Sequence, residues 1–502
     1  MNDLPTGWAR TELAQVCTSI TDGDHQAPPQ VPLGIPFLVI GNIRTQQLDF
    51  TDCRHVPPEY FESLNPVRRP QKGDVLYSLV GSYGISVLVK DDSPFCVQRH
   101  IGILRPSPEI SSAFLALALS SPAVFNQATQ YATGTAQLTV PLSGLRRIRV
   151  PLPPRLEQGR IVAAIEEQFS QLDAGVAALE RVRRGLKRLR AAVLQVAADG
   201  RLTTQWRSRC RDVEPADILI KRLLDQRRQV VRGRRTRVDG PTTGQFPVLP
   251  EGWSYTRIEP LLSADRPGMK TGPFGSLLKK HEHRSEGVPV LGIENVEPMH
   301  FITGSRIHIS RKKAEDLSTY DVQPGDVLIS RSGTVGEVCV APEDLGEARF
   351  STNLMRVVLN TDGILPEFFA LLFNGSPIVL AQVSDLCKGT TRAFLNQEIL
   401  SAIAFPVPPL AEQQEILSQL GERLSWIADM ERQVNVMLRR APALRRSILS
   451  DAFSGKLAPQ DSNDEPASVL LERIAAERAS SDGNKSTRTR KPRTTRLEKV
   501  TA

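Results

Sequence analysis

The chain of 502 residues contains one ordered set of short motifs twice. Its repeated motifs are Leu4–Trp8 (LPTGW) and Leu249–Trp253 (LPEGW), Gly73–Leu76 and Gly325–Leu328 (both GDVL), and Pro151–Pro154 (PLPP) and Pro406–Pro409 (PVPP). Every repeat is offset by about 245 to 255 residues, and the order is the same in both copies. We therefore interpret the chain as a tandem duplication, which also fits its length, because single hydrophobic cores stop growing at about 250–300 residues.

Both copies are predicted to start with a globular domain of mixed character and to end in a long helix. Short β-rich runs punctuated by Gly and Pro precede an apolar helix in each domain, near residues 113–120 and 367–373. The expected fold class is α+β, with two duplicated mixed α/β domains separated by a long antiparallel two-helix coiled coil. Its predicted segments are a first domain (1–154), a central long helix (155–203), a basic linker with a short helix (204–246), a second domain (247–409), a distal long helix (410–457), and a short helix followed by a basic, disordered tail (458–502).

Apolar residues recur every three or four positions in both long helices, from Ile165 to Val193 and from Ile416 to Ile448. This spacing is typical of a coiled-coil seam, and a helix of about 40 residues spans roughly 60 Å. One such stripe would ordinarily pack on its own domain. Because two equivalent stripes occur, an antiparallel pairing of the two is the favoured interpretation. Pro442 lies inside the distal helix and is expected to kink or interrupt it.

Sequence motifs for catalysis, cofactor or metal binding, membrane insertion and export are missing from both copies. The sequence has no phosphate-binding loop, no methyltransferase motif, no Cys-x-x-Cys pair among six cysteines, no apolar run of about 18 residues and no signal-peptide pattern. We expect no cofactor, no metal, no membrane and a cytoplasmic location. The His281–His283 segment (HEH) lies in a charged stretch and favours a solvated or nucleic-acid-facing loop over a metal site. The pairs Ser82 with His100 and Ser332 with His308 have no spacing that indicates catalysis. Binding is the expected role.

Four motifs resemble the specificity (S) subunit of type I restriction-modification systems: Leu249–Trp253, Thr271–Ser276 (TGPFGS), Gly325–Thr334 (GDVLISRSGT) and Pro406–Ile416 (PVPPLAEQQEI). The first copy agrees through Ile20–His25, Pro151–Gln158 and Ala198–Leu202, and the match extends from about residue 4 to 460. The resemblance implies two target-recognition domains, each reading one half of a split DNA site, with helices that set the spacer. It also implies a non-catalytic subunit of a restriction and adenine-methyltransferase complex, which docks two methyltransferase (M) subunits and the restriction motor (R) subunits. The resemblance gives no role to 204–246 or 458–502.

Polar side chains on Gly- and Pro-bounded loops are the candidates for contacts with DNA, because such side chains can donate to or accept from base edges. In the first domain they are Asp22, Asp24, His25, Gln26, Ser82, Tyr83, Gln98, Arg99, Thr135 and Gln137. The second domain contributes Lys270, Thr271, Ser276, Lys279, Lys280, Arg331, Ser332, Thr334, Thr390, Thr391 and Arg392. For any single side chain, a solvated loop residue is an equally good interpretation.

Net charge is +8, but it is concentrated in three segments. Residues 181–190 and 227–237 carry six basic residues each and no acidic residue, and 484–502 carries seven basic residues and one acidic residue. The first domain is neutral, and the second has fifteen basic and nineteen acidic residues. We therefore hypothesise that partner subunits supply much of the phosphate clamp. For the basic segments, a solvated helix or tail and an accessory DNA contact both stay open.

Three other functions are compatible with parts of this pattern. A stand-alone DNA-binding protein would bind tightly without partner subunits. A coiled-coil adaptor would show no salt-dependent affinity for DNA, and would leave the turn-rich domains unexplained. A self-contained restriction enzyme would need nuclease and methyltransferase motifs that the sequence lacks.

Overall fold

The structure, a computed structural model, describes residues 4–44, 47–230, 246–273, 277–333, 335–387 and 394–486. The chain divides into two compact units: Met1–Leu179 together with Val436–Ala502, and Glu180–Asn435. We refer to them as unit 1 and unit 2. Each contains one globular domain and a part of both long helices. The sequence-based segment boundaries stay predictions.

The centre of each unit is a four-stranded antiparallel sheet. In unit 1 its strand order is Cys17–Asp22, Ile101–Pro106, Val75–Ser78 and Ser86–Leu88. In unit 2 the order is Met269–Thr271, Leu354–Val357, Val327–Ser330 and Val338–Val340. Corresponding strands therefore take corresponding places in the two sheets.

Alternate residues of the central strands pack into different hydrophobic clusters. Val75 and Tyr77 belong to one cluster of unit 1, whereas Leu76 belongs to another. In unit 2, Val327 packs on one side and Leu328 on the other. Successive side chains of a strand point to opposite faces, so a continuous apolar run indicates that both faces of the sheet are covered.

Smaller elements complete the domains. Further strands of unit 1 are Ala9–Glu12, Ile35–Leu38, Ile43–Arg44, Gln47–Leu48, Arg54–Val56, Cys96–Val97 and Arg149–Leu152, and its short helices are Leu13–Val16, Pro58–Ser63, Ser112–Leu119, Pro122–Tyr131 and Leu142–Arg147. Unit 2 adds strands Ser254–Thr256, Val288–Leu291, Val296–Glu297, His300–Phe301, Ile307–Ile309, Asp321–Val322, Ala348–Phe350 and Phe405–Val407, and helices Arg311–Asp316, Pro366–Gly375, Pro377–Leu386 and Gln397–Ala402. The predicted apolar helices thus form in both copies.

The central helix, Arg155–Ala198, and the distal helix, Leu410–Phe453, each have 44 residues. In unit 1, Asp173 of the central helix forms an ion pair with Arg445 of the distal helix. In unit 2, Arg190 lies 4.0 Å from Glu431. Residue numbers along the distal helix fall as those along the central helix rise, so the two helices pair antiparallel. The predicted α+β class, with two duplicated domains and a long antiparallel helix pair, is confirmed.

Pro442 does not interrupt the distal helix, which continues from Leu410 to Phe453. Of the expected kink or interruption, the interruption does not occur. Pro442 is exposed, so the backbone carbonyl that loses its donor at this turn can bond with water, and packing elsewhere along the helix preserves the helical backbone.

The segments to which the resemblance gave no role contain helices that pack onto the domains. The linker helix, Ala216–Val230, follows Thr204–Arg209, and the tail helix is Ala467–Ser486. The amide of Ala216 donates to the carbonyl of Gly252 at 2.9 Å, and the amide of Ala467 donates to that of Gly7 at 2.8 Å. Each domain thus receives one such helix in the same way. Residues 231–245 and 487–502, the rest of the two basic stretches, lie outside the described residues.

Among the described residues, no single helix is long and apolar enough to cross a membrane. One pair of consecutive helices, Pro366–Gly375 and Pro377–Leu386, is long and apolar enough when the two are taken together, but the pair is bent by 70°. Phe368, Phe369 and Phe373 of this pair are buried in the core of unit 2.

Candidate nucleic-acid interface

The candidate site of the first domain lies at one end of its sheet. Antiparallel pairing places Ser78 opposite Ile101 and Asp22 opposite Gly102. The segments after Asp22 and after Ser78 and the segment before Ile101 therefore leave the sheet at the same end. Together with Asp22 itself, they contain eight of the ten first-domain candidates. A bridge between Val80 and Thr139 brings in the loop that carries the other two, Thr135 and Gln137.

The same arrangement recurs in the second domain. Ser330 pairs with Leu354, and Thr271 pairs with Met355. The segments that follow Thr271 and Ser330 and the segment that precedes Leu354 meet at this end, and the amide of Leu395 donates to the carbonyl of Arg331 at 3.1 Å. We call these two surfaces the recognition ends.

Two glycines allow backbone segments to cross closely at the recognition ends. A Cβ atom on Gly23 would lie 2.0 Å from the carbonyl oxygen of Val97, and one on Gly272 would lie 1.9 Å from that of Ser351. Any side chain would force these segments apart. The Gly requirement is therefore steric, and it explains the Thr-Asp-Gly and Lys-Thr-Gly motifs.

Both domains use the same turn between the third and fourth strands of the sheet. Its pattern is Ser-x-x-Gly-Ser/Thr-x-Gly, beginning at Ser78 and Ser330. The hydroxyl of Ser78 donates to the carbonyl of Ser82 at 2.8 Å, and that of Ser330 donates to the carbonyl of Ser332 at 3.2 Å. All four Gly residues have φ between 66° and 93°, which a residue with a side chain rarely adopts.

The carboxylates of Asp22 and Asp24 are engaged within the first domain. Arg68 lies 3.7 Å from Asp22 and 3.6 Å from Asp24, and the Tyr60 hydroxyl donates to Asp24 at 2.7 Å. His25 contacts Asp22 through Nε2 at 2.9 Å. Asp22 and Asp24 therefore shape the loop. The sequence pattern contained no signal for Arg68, because it lies more than 40 residues away.

Four neighbouring candidates are positioned to reach outward. His25, Gln26 and Arg99 are exposed, and Gln98 is half-buried beside Asp24. The Nε of Arg99 donates to Nε2 of His100 at 3.2 Å. Burial, together with the charges of Arg99 and His25, lowers the pKa of His100, which favours the neutral imidazole that can accept that bond.

Ser82, Thr135 and Gln137 are exposed at the same recognition end. Tyr83 is half-buried: its ring stacks on Phe125 at a centroid distance of 5.5 Å, and its hydroxyl lies 3.0 Å from that of Thr129. Three of these four candidates are thus open to a ligand, whereas Tyr83 also supports the turn.

Arg331 is buried, with an exposed fraction of 2%. Its Nε donates to the carbonyl of Leu395 and its Nη1 to the carbonyl of Thr352, both at 3.1 Å, and its guanidinium lies over the ring of Phe394 at 4.3 Å. Burial lowers the pKa of Arg331. This side chain joins three loop segments of the recognition end, and its burial favours a positioning role over direct reading of a base.

The remaining candidates of the second domain differ in accessibility. Ser332 is half-buried and donates to Oδ1 of exposed Asn353 at 3.0 Å. Lys270 and Thr271 are half-buried in their strand, and Lys270 lies over the ring of Tyr320 at 4.5 Å. Asn353 was missed by the sequence analysis. The repeat could have indicated it, because an offset of about 253 residues relates Asn353 to His100, which adjoins the candidate Arg99.

Lys279 and Lys280 are exposed beside Glu282, whose carboxylate forms an ion pair with Lys313 at 2.7 Å. Among the described residues, no group of three or more His, Cys, Asp or Glu side chains could hold a metal ion. The other candidates, Ser276, Thr334, Thr390, Thr391 and Arg392, lie outside the described residues.

The sequence profile of the type I restriction modification DNA specificity domain matches residues 5–181 and 274–435. The chain is 27% identical to the EcoKI specificity subunit of Escherichia coli strain K12, over 97% of this chain and 98% of that protein. It is 25% identical to the StySPI specificity subunit of Salmonella potsdam, over 97% and 98%. A chain in a solved structure concerned with complex assembly and conformational transition of a type I system has a TM-score of 0.61 at 19% identity, over 91% of this chain and 100% of that one.

Proposed function

Because this chain belongs to the family of type I restriction-modification DNA specificity subunits, we propose that each recognition end reads one half of a bipartite DNA sequence. The observation that carries this proposal is the repetition of one loop arrangement on two sheets. Loops that leave a sheet at one end, held by Gly contacts and side-chain clamps, can present several polar groups to one groove. Two copies of such a surface match a target with two separate halves.

Base contacts are assigned to the exposed side chains of the recognition ends. In the first domain these are His25, Gln26, Ser82, Arg99, Thr135 and Gln137. In the second domain we assign them to exposed Asn353 and to half-buried Ser332, which donates to it, with Lys279 and Lys280 as phosphate contacts. Asp22, Asp24, Tyr83, Lys270 and Arg331 then position the loops. Arg suits guanine and Asn suits adenine, because each can bond two atoms of the base edge.

Two copies of one partner are expected to dock on the long helices. Val182 and Leu189 of the central helix are equivalent, at an offset of 255 residues, to Met437 and Leu444 of the distal helix. All four are between 40% and 53% exposed. Exposed apolar residues at two matched pairs of positions fit one partner binding each helix, and the family relation makes the methyltransferase subunit that partner.

A groove in unit 2 supports this docking surface. It has a volume of about 440 Å³ and is lined by Leu189, Glu422, Arg423, Trp426 and Ile427. Trp426 is 55% exposed. Exposed Trp is enriched at the energetically dominant positions of protein interfaces. We assign no catalysis to this chain: the partner subunits would methylate adenine and cleave DNA, in the cytoplasm.

Mapping methylated adenines in the host genome tests the proposal, with and without this chain. Wild-type cells should show one bipartite motif that disappears when the gene is deleted. Arg99→Ala should relax base choice in one half of the motif only, and Asn353→Ala in the other half only, by about 1–3 kcal/mol at the affected base pair. A change in both halves from either variant, or no motif at all, would contradict the proposal.

A further inference from the structure

The central helix carries a row of exposed cations that belongs to neither recognition end. Arg181, Arg184 and Arg188 are exposed, and so is Lys187. Within the described part of the chain, no carboxylate lies within ion-pair distance of these four side chains, whereas their neighbours Arg183 and Arg190 pair with Glu180 and Glu431. We call Arg181, Arg184 and Arg188 the arginine row.

The arginine row lies on the outer side of the helix pair. Successive residues of a helix are rotated by about 100°, so the three arginines fall within about 60° of one another and opposite buried Leu186. Val182 and Leu189 lie on a different side, about 100° away. The charged surface is therefore separate from the apolar surface to which we assigned a protein partner.

This row costs helix stability. Arg181 and Arg184 are three positions apart, and Arg184 and Arg188 four, and like charges at these spacings destabilise a helix by about 0.2–0.5 kcal/mol per pair. The distal helix has a cation, Arg439, at the position equivalent to Arg184, and it is also exposed. A row of exposed cations that does not serve the fold points to a polyanionic ligand.

We propose that the arginine row binds DNA phosphates outside the bases that are read, which rests on the proposed function above. Both recognition domains are neutral or acidic overall, so little of the phosphate neutralisation that gives a DNA complex its affinity can come from them. Phosphate contacts add affinity and orientation without sequence information. Side chains on a rigid helix, with no large apolar neighbour in the row, suit that role.

The test measures how DNA affinity depends on salt. The complex of this chain with its methyltransferase subunits is titrated with a mixed-sequence duplex at several salt concentrations. Relative to wild type, the triple variant R181Q/R184Q/R188Q should bind more weakly, and the slope of log affinity against log salt should fall by about 3, roughly one for each lost phosphate contact. The methylated motif should not change.

The control R209Q/K221Q/R228Q removes three exposed cations from other helices of the same unit, of which Lys221 and Arg228 pair with Asp217 and Asp225, and it should leave the slope unchanged. An equal slope for the arginine-row variant and wild type would overturn the proposal. Loss of methyltransferase subunits from the purified variant complex, with an unchanged slope, would assign the row to a protein partner and also overturn it. A wild-type complex that binds no duplex would instead refute the proposed function.

Discussion

Glu157 and Glu412 occupy equivalent positions at the starts of the two long helices and accept the same bond. The indole Nε1 of Trp8 donates to Glu157, and that of Trp253 to Glu412, both at 3.0 Å. These buried pairs tie each domain's first segment to its long helix. They explain why a Trp and a Glu about 150 residues apart both recur in the repeat.

The hydrogen-bond partners of the second carboxylate oxygen, Oε1, differ between the two units. Thr203 donates to Oε1 of Glu412 at 2.6 Å, and Arg207 forms an ion pair with the same atom. In unit 1 the position equivalent to Thr203 is Ala458, and Oε1 of Glu157 is buried without a hydrogen-bond partner among the described residues. Burial therefore raises the pKa of Glu157.

Ala458→Thr should stabilise unit 1 at neutral pH by about 1–2 kcal/mol, because its hydroxyl would supply the missing donor. Since the pKa of Glu157 is raised in the folded protein, the protonated acid favours folding and that contribution is lost as pH rises through this pKa. The stabilisation by Thr should therefore shrink in acid. Calorimetric unfolding, with hydrogen exchange of the peptides that contain Trp8, measures both effects.

Two controls accompany this substitution. Ala458→Val matches the shape of Thr without the hydroxyl and should not stabilise. Thr203→Ala removes the corresponding donor in unit 2 and should destabilise the region of Trp253 by a similar amount. Equal stability of the Thr and Val variants would show that Glu157 does not need a donor.

At the scale of elements, the long helices have a buried apolar surface and a separate exposed apolar surface. Leu186 and Ile427 are buried between the paired helices, whereas Val182 and Leu189 stay half exposed. The spacing of apolar residues alone would place all of these side chains in one coiled-coil seam. Because the pairing buries only part of the stripe, the rest stays available to a partner.

Leu189→Glu should cost the complex one methyltransferase subunit, and Leu444→Glu the other, because a charge on each matched surface opposes apolar docking. The double variant should bind none. Mass photometry of the purified complex counts the bound subunits. Leu156→Glu, at an exposed Leu of the same central helix outside the matched surfaces, is the control and should keep both. If Leu189→Glu and Leu444→Glu also keep both subunits, docking occurs elsewhere.

At the scale of the whole molecule, charge is distributed away from the surfaces that we assign to base reading. Asp22 and Asp24 both lie within 4 Å of Arg68 within the first domain. Arg227, from one of the basic segments, pairs with Glu259 and donates to the carbonyls of Leu262 and Ser263. Part of the basic surplus thus holds the protein together, and less of it is available to DNA than the net charge suggests.

The isolated chain should therefore bind its DNA target much more weakly than the complex with its methyltransferase subunits at physiological salt. The phosphate contacts of the partners would be missing, which lowers affinity and flattens its salt dependence. Titration of both samples with one target duplex checks this. Equal affinity would show that the chain grips DNA alone and would contradict the shared clamp.

The sequence by itself determined the duplication, the α+β class and the antiparallel helix pair, and it indicated loops that the structure brings together at one end of each sheet. These follow from motif order and from the periods of apolar residues, which are local properties of the chain. The sequence also contained an indication of Asn353, because the repeat offset relates it to the residue next to Arg99.

Only the tertiary structure decided which polar side chains are free. Arg331 and Asp22 have the residue types of base contacts, yet one clamps loops through the carbonyls of Thr352 and Leu395 and the other is held by Arg68. Their partners come from distant parts of the chain. The need to satisfy buried polar groups, which no local pattern records, sets their roles.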